Sequence, residues 1–306
     1  MSTPLRGLTA APFTPFHADG SLHAAVIPRY ARFLRDNGVA AAFVCGTTGE
    51  GPSLTIGERL EVAAAWTEAR ALPVVVHVGH TSQAEAVRLA AHAREIGAAA
   101  VSALAPYFFK PATARELAAW CAPVAAAAAP LPFYFYHIPS FTGVSFPVAE
   151  FLAEAAPLIP TLAGVKFTFE DLADYRRCLE ADQGRFDVLF GRDELLLDAL
   201  KLGARGAVGS TYNYAAPLYL RLIEAWRGGD EATARSLQEK AVRMIDLCAG
   251  TGVTHLAATK TLMADLGLDC GPVRPPLRNP DAPTIAALRG KLDGIGFPGF
   301  ACRRAA

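Results

Sequence analysis

A lysine lies inside a short apolar run near the middle of the chain, where a buried lysine is rare. The run is LAGVKF, residues 162–167, and the lysine is Lys166. An amine withdrawn from water has a lowered pKa, and a neutral amine attacks carbonyl groups to form a Schiff base. The same pattern also fits a lysine whose amine reaches solvent at the strand end, or one paired with a carboxylate. The residues alone leave these interpretations open.

Two further apolar runs end in groups that handle protons and anions. In PFYFYHIP, strand alternation places Tyr134 and Tyr136 on one side, and Tyr136 lies nearer the end. Its phenol is a candidate proton carrier, or else a core aromatic residue. In CGTTGEGPSL, Thr47 and Thr48 lie between two glycines. Their hydroxyl and N–H groups predict a nest for a carboxylate, unless the segment is an ordinary turn with a helix N-cap.

A polar cluster follows a third run, in FGRDELLLDAL, where Gly191, Asp193 and Glu194 come directly after a predicted strand. Carboxylates at such a place suit a ligand with many hydroxyl groups, because each oxygen accepts hydrogen bonds. The alternative is that the two acids cap the next helix. A last run, GAVGSTYNY, adds a glycine-rich turn that contains Ser210.

The elements that must position these residues repeat along the chain. Each apolar run lacks polar alternation, which is typical of parallel strands buried on both faces, and is followed by an amphipathic segment. The runs cover residues 7–13, 40–46, 73–79, 98–106, 132–139, 162–167, 186–191 and 206–212. The pattern predicts an α/β fold, a TIM (β/α)8 barrel with a C-terminal three-helix appendage. A doubly wound open sheet is the alternative, but no GxGxxG opens the first helix.

The predicted organisation is a catalytic barrel over residues 1–228 and a helical extension over residues 229–306, packed on the barrel. In a barrel, active-site groups lie at the carboxyl ends of the strands and in the loops that follow. Lys166, Tyr136, Thr47 and the acids after the seventh run are all near such ends, so we expect them to meet.

Composition limits the function classes. The 306 residues are 52% hydrophobic and carry 29 basic and 29 acidic side chains. This balance gives no sign of a nucleic-acid or membrane partner. The start has no pattern of a signal peptide, and the six cysteines are scattered, which predicts a cytoplasmic protein with reduced thiols. His77 and His80 form the only close histidine pair, too little for a metal site.

Three spaced motifs carry a resemblance over the whole chain. GTTGE after the second predicted strand, YHIP at the fifth and GVKFT at the sixth resemble the dihydrodipicolinate synthase / N-acetylneuraminate lyase family. The resemblance implies a (β/α)8 barrel, a class I aldolase mechanism, no metal or other cofactor, and a homotetramer. It implies that Lys166 is the Schiff-base lysine, Tyr136 the proton carrier, and Thr47 and Thr48 the carboxylate-binding pair.

Within the family, PFYFYHIPSFTGV, FGRDE and GAVGSTYNY resemble the lyase branch, notably its animal sequences. That branch implies cleavage of N-acetylneuraminate to N-acetylmannosamine and pyruvate, with small-molecule substrates as the partners. It also implies contacts to the sugar tail from Thr168, Gly191, Asp193, Glu194 and Ser210. Synthases of the family carry an arginine where this chain has Phe141, and a phenyl ring cannot replace a guanidinium, which argues against that branch.

The sequence departs from the family pattern at several places. His137 stands where many members have asparagine, Thr47 replaces a serine, and PYFFKP leaves Tyr107 as the phenol nearby. Whether Tyr107 serves a neighbouring subunit stays open. Two other functions also stay open: a different pyruvate-dependent aldolase or dehydratase that acts on another 2-keto sugar acid, and a non-catalytic sugar-acid-binding protein.

Overall fold

The computed structural model describes residues 4–305 and contains a closed barrel of eight parallel strands, hydrogen-bonded in chain order from the first to the eighth and back to the first. The strands are β1 Gly7–Ala10, β2 Ala41–Val44, β3 Val74–His77, β4 Ala100–Leu104, β5 Phe133–His137, β6 Leu162–Phe167, β7 Asp187–Phe190 and β8 Gly206–Gly209. Each lies within one of the eight predicted runs. The (β/α)8 prediction is therefore confirmed, and the open sheet is wrong.

Helices follow the strands around the outside of the barrel. They are α1 Ile27–Asp36, α2 Ile56–Glu68, α3 Gln83–Glu95, α4 Ala114–Ala128, α5 Pro139–Thr142, α6 Val148–Ala155, α7 Leu172–Glu180, α8 Leu196–Lys201, α9 Tyr212–Arg227, α10 Glu231–Ala249, α11 His255–Asp265 and α12 Ala282–Gly294. Short polar residues begin several of them. The Thr55 hydroxyl accepts from Glu58 N, and the Glu58 carboxylate accepts from Thr55 N, which is a capping box at the start of α2.

Two apolar layers explain why the strand sequences are hydrophobic on both faces. One layer lies between the barrel and its helices and includes Val44 and Val76. The other fills the barrel interior and includes Phe43, Tyr134 and Tyr136. The two tyrosines thus share the interior side, as strand alternation predicts. Because these side chains fill the interior, the barrel is a packed core rather than a pore.

Three helices, α10 to α12, follow the helix that comes after β8. Gln238 of α10 donates to the Asp193 carbonyl at 3.0 Å and accepts from Leu197 N at 2.9 Å, so α10 packs on the segment after β7. The division at residues 228 and 229 stays a prediction, and residues 1–3 and 306 of its ranges lie outside the described part. None of the described helices is long and apolar enough to cross a membrane.

Candidate active site

One cavity of about 380 Å³ opens at the carboxyl end of the barrel. The nine residues predicted to act or bind all line it. They are Thr47, Thr48, Tyr136, Lys166, Thr168, Gly191, Asp193, Glu194 and Ser210. These residues come from the ends of five different strands, and the fold brings them into one cavity. Their roles are a separate question. Among residues 4–305 no group of three His, Cys, Asp or Glu side chains is placed to hold a metal ion.

Lys166 is the next-to-last residue of β6 and is only 4% exposed. Register pairs it with Tyr136 of β5, so both side chains enter the barrel at one level. The Lys166 Nζ lies 4.0 Å from the centre of the Tyr136 ring and 4.1 Å from that of Phe43. No described carboxylate comes within 4.0 Å of the amine, and it does not reach bulk solvent. Neither structural alternative for this lysine therefore matches its surroundings.

Burial sets the charge of this amine. Desolvation lowers the pKa of Lys166 from 10.5 to about 7, and the negative charge of Asp193 acts in the opposite direction. The two aromatic faces also favour the ammonium form, but they do not replace its hydration. At neutral pH the amine is thus divided between the neutral nucleophile and the ammonium ion.

Tyr136 is fully enclosed at the end of β5, and its hydroxyl lies 3.3 Å from the Thr47 Oγ1. Either oxygen is able to donate in this hydrogen bond. Burial raises the pKa of Tyr136 to about 12, so the free phenol stays protonated at neutral pH. The Thr168 Oγ1 is buried in the cavity wall, and the hydroxyls of Thr47 and Thr168 both act against the rise in the pKa of Tyr136. Together these hydroxyls form a polar strip beside Lys166.

The Thr47–Thr48 turn is held by a hydrogen bond within the turn and by another from the neighbouring first loop. Glu50 N donates to the Thr47 carbonyl at 3.0 Å, and Thr14 of the first loop donates to the Gly49 carbonyl at 2.6 Å. Glu50 itself has a left-handed backbone, with φ of 54°. A non-glycine residue keeps that conformation only where its surroundings fix it. The hydroxyl groups of Thr47 and Thr48 are therefore presented by a rigid turn.

Asp193 is buried, and it caps the element after β8 rather than the helix that follows it in sequence. Its Oδ2 accepts from Thr211 N at 3.0 Å and from Thr211 Oγ1 at 2.6 Å. Burial first, and Glu194 second, raise the pKa of Asp193 to about 6, against hydrogen bonds from Thr211 and from the Tyr212 side chain. A Cβ at Gly209 would overlap this carboxylate.

Glu194 lies nearer the opening, with 30% of its side chain exposed. Arg192, which sequence reasoning did not single out, also lines the cavity. Its Nη2 is 3.5 Å from Glu194 Oε1 and 2.8 Å from Glu170 Oε1. Neither Asp193 nor Glu194 gives a side-chain cap to its own helix. The rim therefore offers both hydrogen-bond acceptors and one guanidinium to a polar ligand.

Gly191 and Ser210 complete the wall. Gly191 N donates to the Phe167 carbonyl at 2.7 Å, and a Cβ at this glycine would overlap the Thr168 hydroxyl. Only glycine allows these strand ends to come so close. Ser210 uses its carbonyl to accept from Asn213 Nδ2 at 2.8 Å, while its partly exposed side chain faces the cavity.

Other parts of the site are absent from the sequence reasoning. The far wall is formed by the end of α10 and the start of α11, including Ile245, Thr254 and His255. The His255 Nε2 is buried without a partner among the described residues, and burial lowers its pKa to about 4. Phe141, which the sequence analysis did single out, lines the rim as well and is 70% exposed. The only signal for His255 in the sequence is its place at the start of a predicted helix, which is a weak indication of a site residue.

Comparison with known proteins places this geometry in context. The model of the dihydrodipicolinate synthetase family matches residues 4–289. N-acetylneuraminate lyase of Mus musculus is 42% identical over 300 residues, which cover 96% of this chain and 93% of that protein. The Homo sapiens enzyme of that name is 41% identical, with 97% and 94% covered. The solved Proteus mirabilis N-acetylneuraminate lyase has a TM-score of 0.93 at 40% identity and covers 96% of this chain and 100% of its own.

Proposed function

This chain belongs to the dihydrodipicolinate synthetase family, and we infer from that membership and from the cavity that it is a lyase that cleaves N-acetylneuraminate to N-acetylmannosamine and pyruvate. The observation that carries this inference is the environment of Lys166. A buried amine with a pKa near 7 lies beside a phenol and a hydroxyl at the mouth of the barrel. That arrangement is what an aldolase that works through a Schiff base requires.

We propose the following sequence of steps. The neutral amine of Lys166 attacks the C2 ketone of the open-chain sugar acid, and loss of water with uptake of one proton from solvent leaves a protonated imine. The imine withdraws electrons from the C3–C4 bond. Tyr136, assisted by Thr47, takes the proton of the C4 hydroxyl as that bond breaks. N-acetylmannosamine leaves, and the enamine is protonated at C3 by one proton, which balances the one taken from the C4 hydroxyl. Water then releases pyruvate, the free amine and the proton taken up in the first step.

The high pKa of Tyr136 constrains its part in this scheme. A phenol with a pKa near 12 is deprotonated in only about one molecule in 10⁵ at pH 7. It must therefore release its own proton toward Thr47 as it accepts one from the substrate, and the Thr47 hydroxyl must pass its own proton on to solvent in the cavity. The positively charged imine on Lys166 forms beside the ring of Tyr136. Its charge favours the phenolate form of Tyr136 and so makes loss of the phenol proton easier.

The rest of the cavity supports a substrate with a carboxylate at one end and a polyol at the other. Thr47 and Thr48 offer donors to the C1 carboxylate, which fixes the ketone for attack. Thr168, Asp193, Glu194 and Ser210 offer hydroxyl and carboxylate groups to the sugar tail. We also propose, on the family resemblance, a cytoplasmic homotetramer without a cofactor. Tyr107, 38% exposed beside Phe108 and Phe109, is available for a subunit contact.

Trapping with borohydride tests the proposal directly. Incubation with pyruvate and borohydride should add a reduced three-carbon group to Lys166, read by peptide mass spectrometry. Lys260 is an internal control, because it is also buried and also has a lowered pKa, but it is paired with Glu50 and lies outside the cavity. Lys166→Ala should abolish both labelling and turnover.

A substrate panel separates the two remaining functions. Cleavage of N-acetylneuraminate well above other 2-keto sugar acids supports the lyase. Trapping by pyruvate together with preferred turnover of another sugar acid would assign a different aldolase or dehydratase. Binding of N-acetylneuraminate with neither trapping nor turnover would leave a sugar-acid-binding protein.

A further inference from the structure

A buried ion pair joins the turn of Thr47 and Thr48 to the C-terminal helices. Lys260 of α11 places its Nζ 2.7 Å from Glu50 Oε1, and each side chain is 1% exposed. The two residues are 210 positions apart in sequence. Two charges withdrawn so far from water gain little net stability over an apolar pair of similar shape. The importance of this ion pair therefore lies in the two segments that it joins, rather than in the stability that it adds.

The ion pair fixes the last residue of the turn. Glu50 has the left-handed backbone described above, and its N–H closes the turn on the Thr47 carbonyl. Both of its carboxylate oxygens are used, because Oε2 accepts from Arg274 N at 2.8 Å. Neither Glu50 nor Lys260 lines the cavity. Lys260 thus holds the turn from behind, without lining the cavity.

A second contact strengthens this connection. The guanidinium of Arg274 donates to the Ser53 carbonyl at 3.1 Å and forms an ion pair with Glu58. Lys260 Nζ and the guanidinium of Arg274 both lie over the ring of Phe16, at 4.1 and 4.2 Å from its centre. The segment from the turn to the start of α2 is therefore clamped by two cations of the C-terminal region.

We propose that Glu50 and Lys260 are positioning residues for the substrate's carboxylate. Their ion pair fixes the turn so that Thr47 and Thr48 keep their donors directed at the carboxylate next to the ketone. In this way the C-terminal helices take part in imine formation. The inference rests on the proposed function, because it assumes that these two threonines receive a carboxylate.

Two ketones of different chemistry separate positioning from general damage. Pyruvate carries a carboxylate next to its ketone, whereas acetone forms the same kind of imine on Lys166 without one. The measurement is the rate of borohydride trapping with each ketone, in the wild type and in Lys260→Met. Asp265→Asn is the matched control, since it breaks the exposed ion pair of α11 with Arg289, which does not contact the turn.

We expect Lys260→Met to lower the trapping rate with pyruvate by about tenfold or more relative to acetone, the scale of one misplaced hydrogen-bond donor. Asp265→Asn should leave the ratio of the two rates unchanged. An equal loss with both ketones in Lys260→Met would overturn the inference but leave the proposed function standing. Failure of the wild type to be trapped by pyruvate would overturn the proposed function itself.

A second variant keeps the test valid if Lys260→Met does not fold. Removal of one partner leaves a buried unpaired charge on Glu50, which is strongly destabilising. The double variant Glu50→Gln, Lys260→Met carries no such charge and should fold. It still lacks the ion pair, so the same drop in the pyruvate-to-acetone ratio is expected. A wild-type ratio in the folded double variant would overturn the inference.

Discussion

The rate of imine formation on Lys166 should follow a titration near pH 7. Burial lowers the pKa of this amine from 10.5 to about 7. A lysine with the ordinary pKa is neutral in about one molecule in 3,000 at pH 7, whereas this one is neutral in about half. The difference corresponds to roughly 5 kcal/mol in the free energy of deprotonation. The nucleophile is thus available without an additional base.

The assay is the trapping rate with pyruvate measured from pH 5 to pH 9. We expect the rate to rise about tenfold per pH unit below the midpoint and to level off above it. Asp193→Asn supplies the perturbation, because the charge of Asp193 favours the ammonium form. Without it, the midpoint should move to lower pH. The wild type should approach the variant below pH 6, since Asp193 itself has a pKa of about 6.

Glu194→Gln is the control for this shift. Glu194 is more exposed than Asp193, and its charge should therefore act less on Lys166, so the midpoint should move less. A wild-type rate that keeps rising through pH 9 would refute the lowered pKa. A midpoint that moves upward in Asp193→Asn would refute the electrostatic relation between the two residues.

Three other predictions follow from the site. Tyr136→Phe keeps the ring and removes the hydroxyl, so turnover should fall by about two orders of magnitude with the thermal unfolding curve unchanged; turnover within about threefold of the wild type would make the residue core packing. Glu194→Ala should weaken cleavage of N-acetylneuraminate but spare trapping by pyruvate, which has no polyol tail; equal losses would assign Glu194 to the fold. Lys166→Met should raise the free energy of unfolding at pH 7, measured by urea titration. Folding lowers the pKa of Lys166, so this lysine costs the folded protein stability. The cost is complete below about pH 7 and absent above about pH 10.5. A gain that does not shrink as pH rises would contradict that linkage.

The barrel could be predicted from the sequence because its signal is local. Each strand is a short apolar run, and each is followed by a helical pattern, so the repeat is visible without any knowledge of contacts. The meeting of Lys166 and Tyr136 follows from the same pattern, since parallel strand ends lie at one end of a barrel. The resemblance then favoured one of the two interpretations of the Thr47–Thr48 turn, a carboxylate nest, over an ordinary turn with a helix N-cap.

What the sequence did not predict depends on contacts between distant residues. The partner of Asp193 is Thr211 rather than a group of its own helix, which follows from the packing of β8 beside β7. Lys260 occupies an ordinary helical position in sequence, and its pairing with Glu50 depends on how α11 packs. Phe43 reads as one more apolar strand residue, although its ring faces the amine of Lys166.

The electrostatics of the cavity suit the change of charge that the proposed chemistry requires. Burial lowers the pKa of Lys166 and raises that of Asp193, so each group is brought toward its neutral form. The charge of Asp193 offsets only part of the effect of burial on Lys166, so the neutral amine is populated, while a cation in its place is still favoured by that carboxylate and by two aromatic faces. The protonated imine is such a cation, and it persists until the C3–C4 bond breaks and the enamine becomes neutral. A fully apolar pocket would oppose the imine, and a close ion pair would withhold the amine; the charge of Asp193 favours a cation here without an ion pair to Lys166.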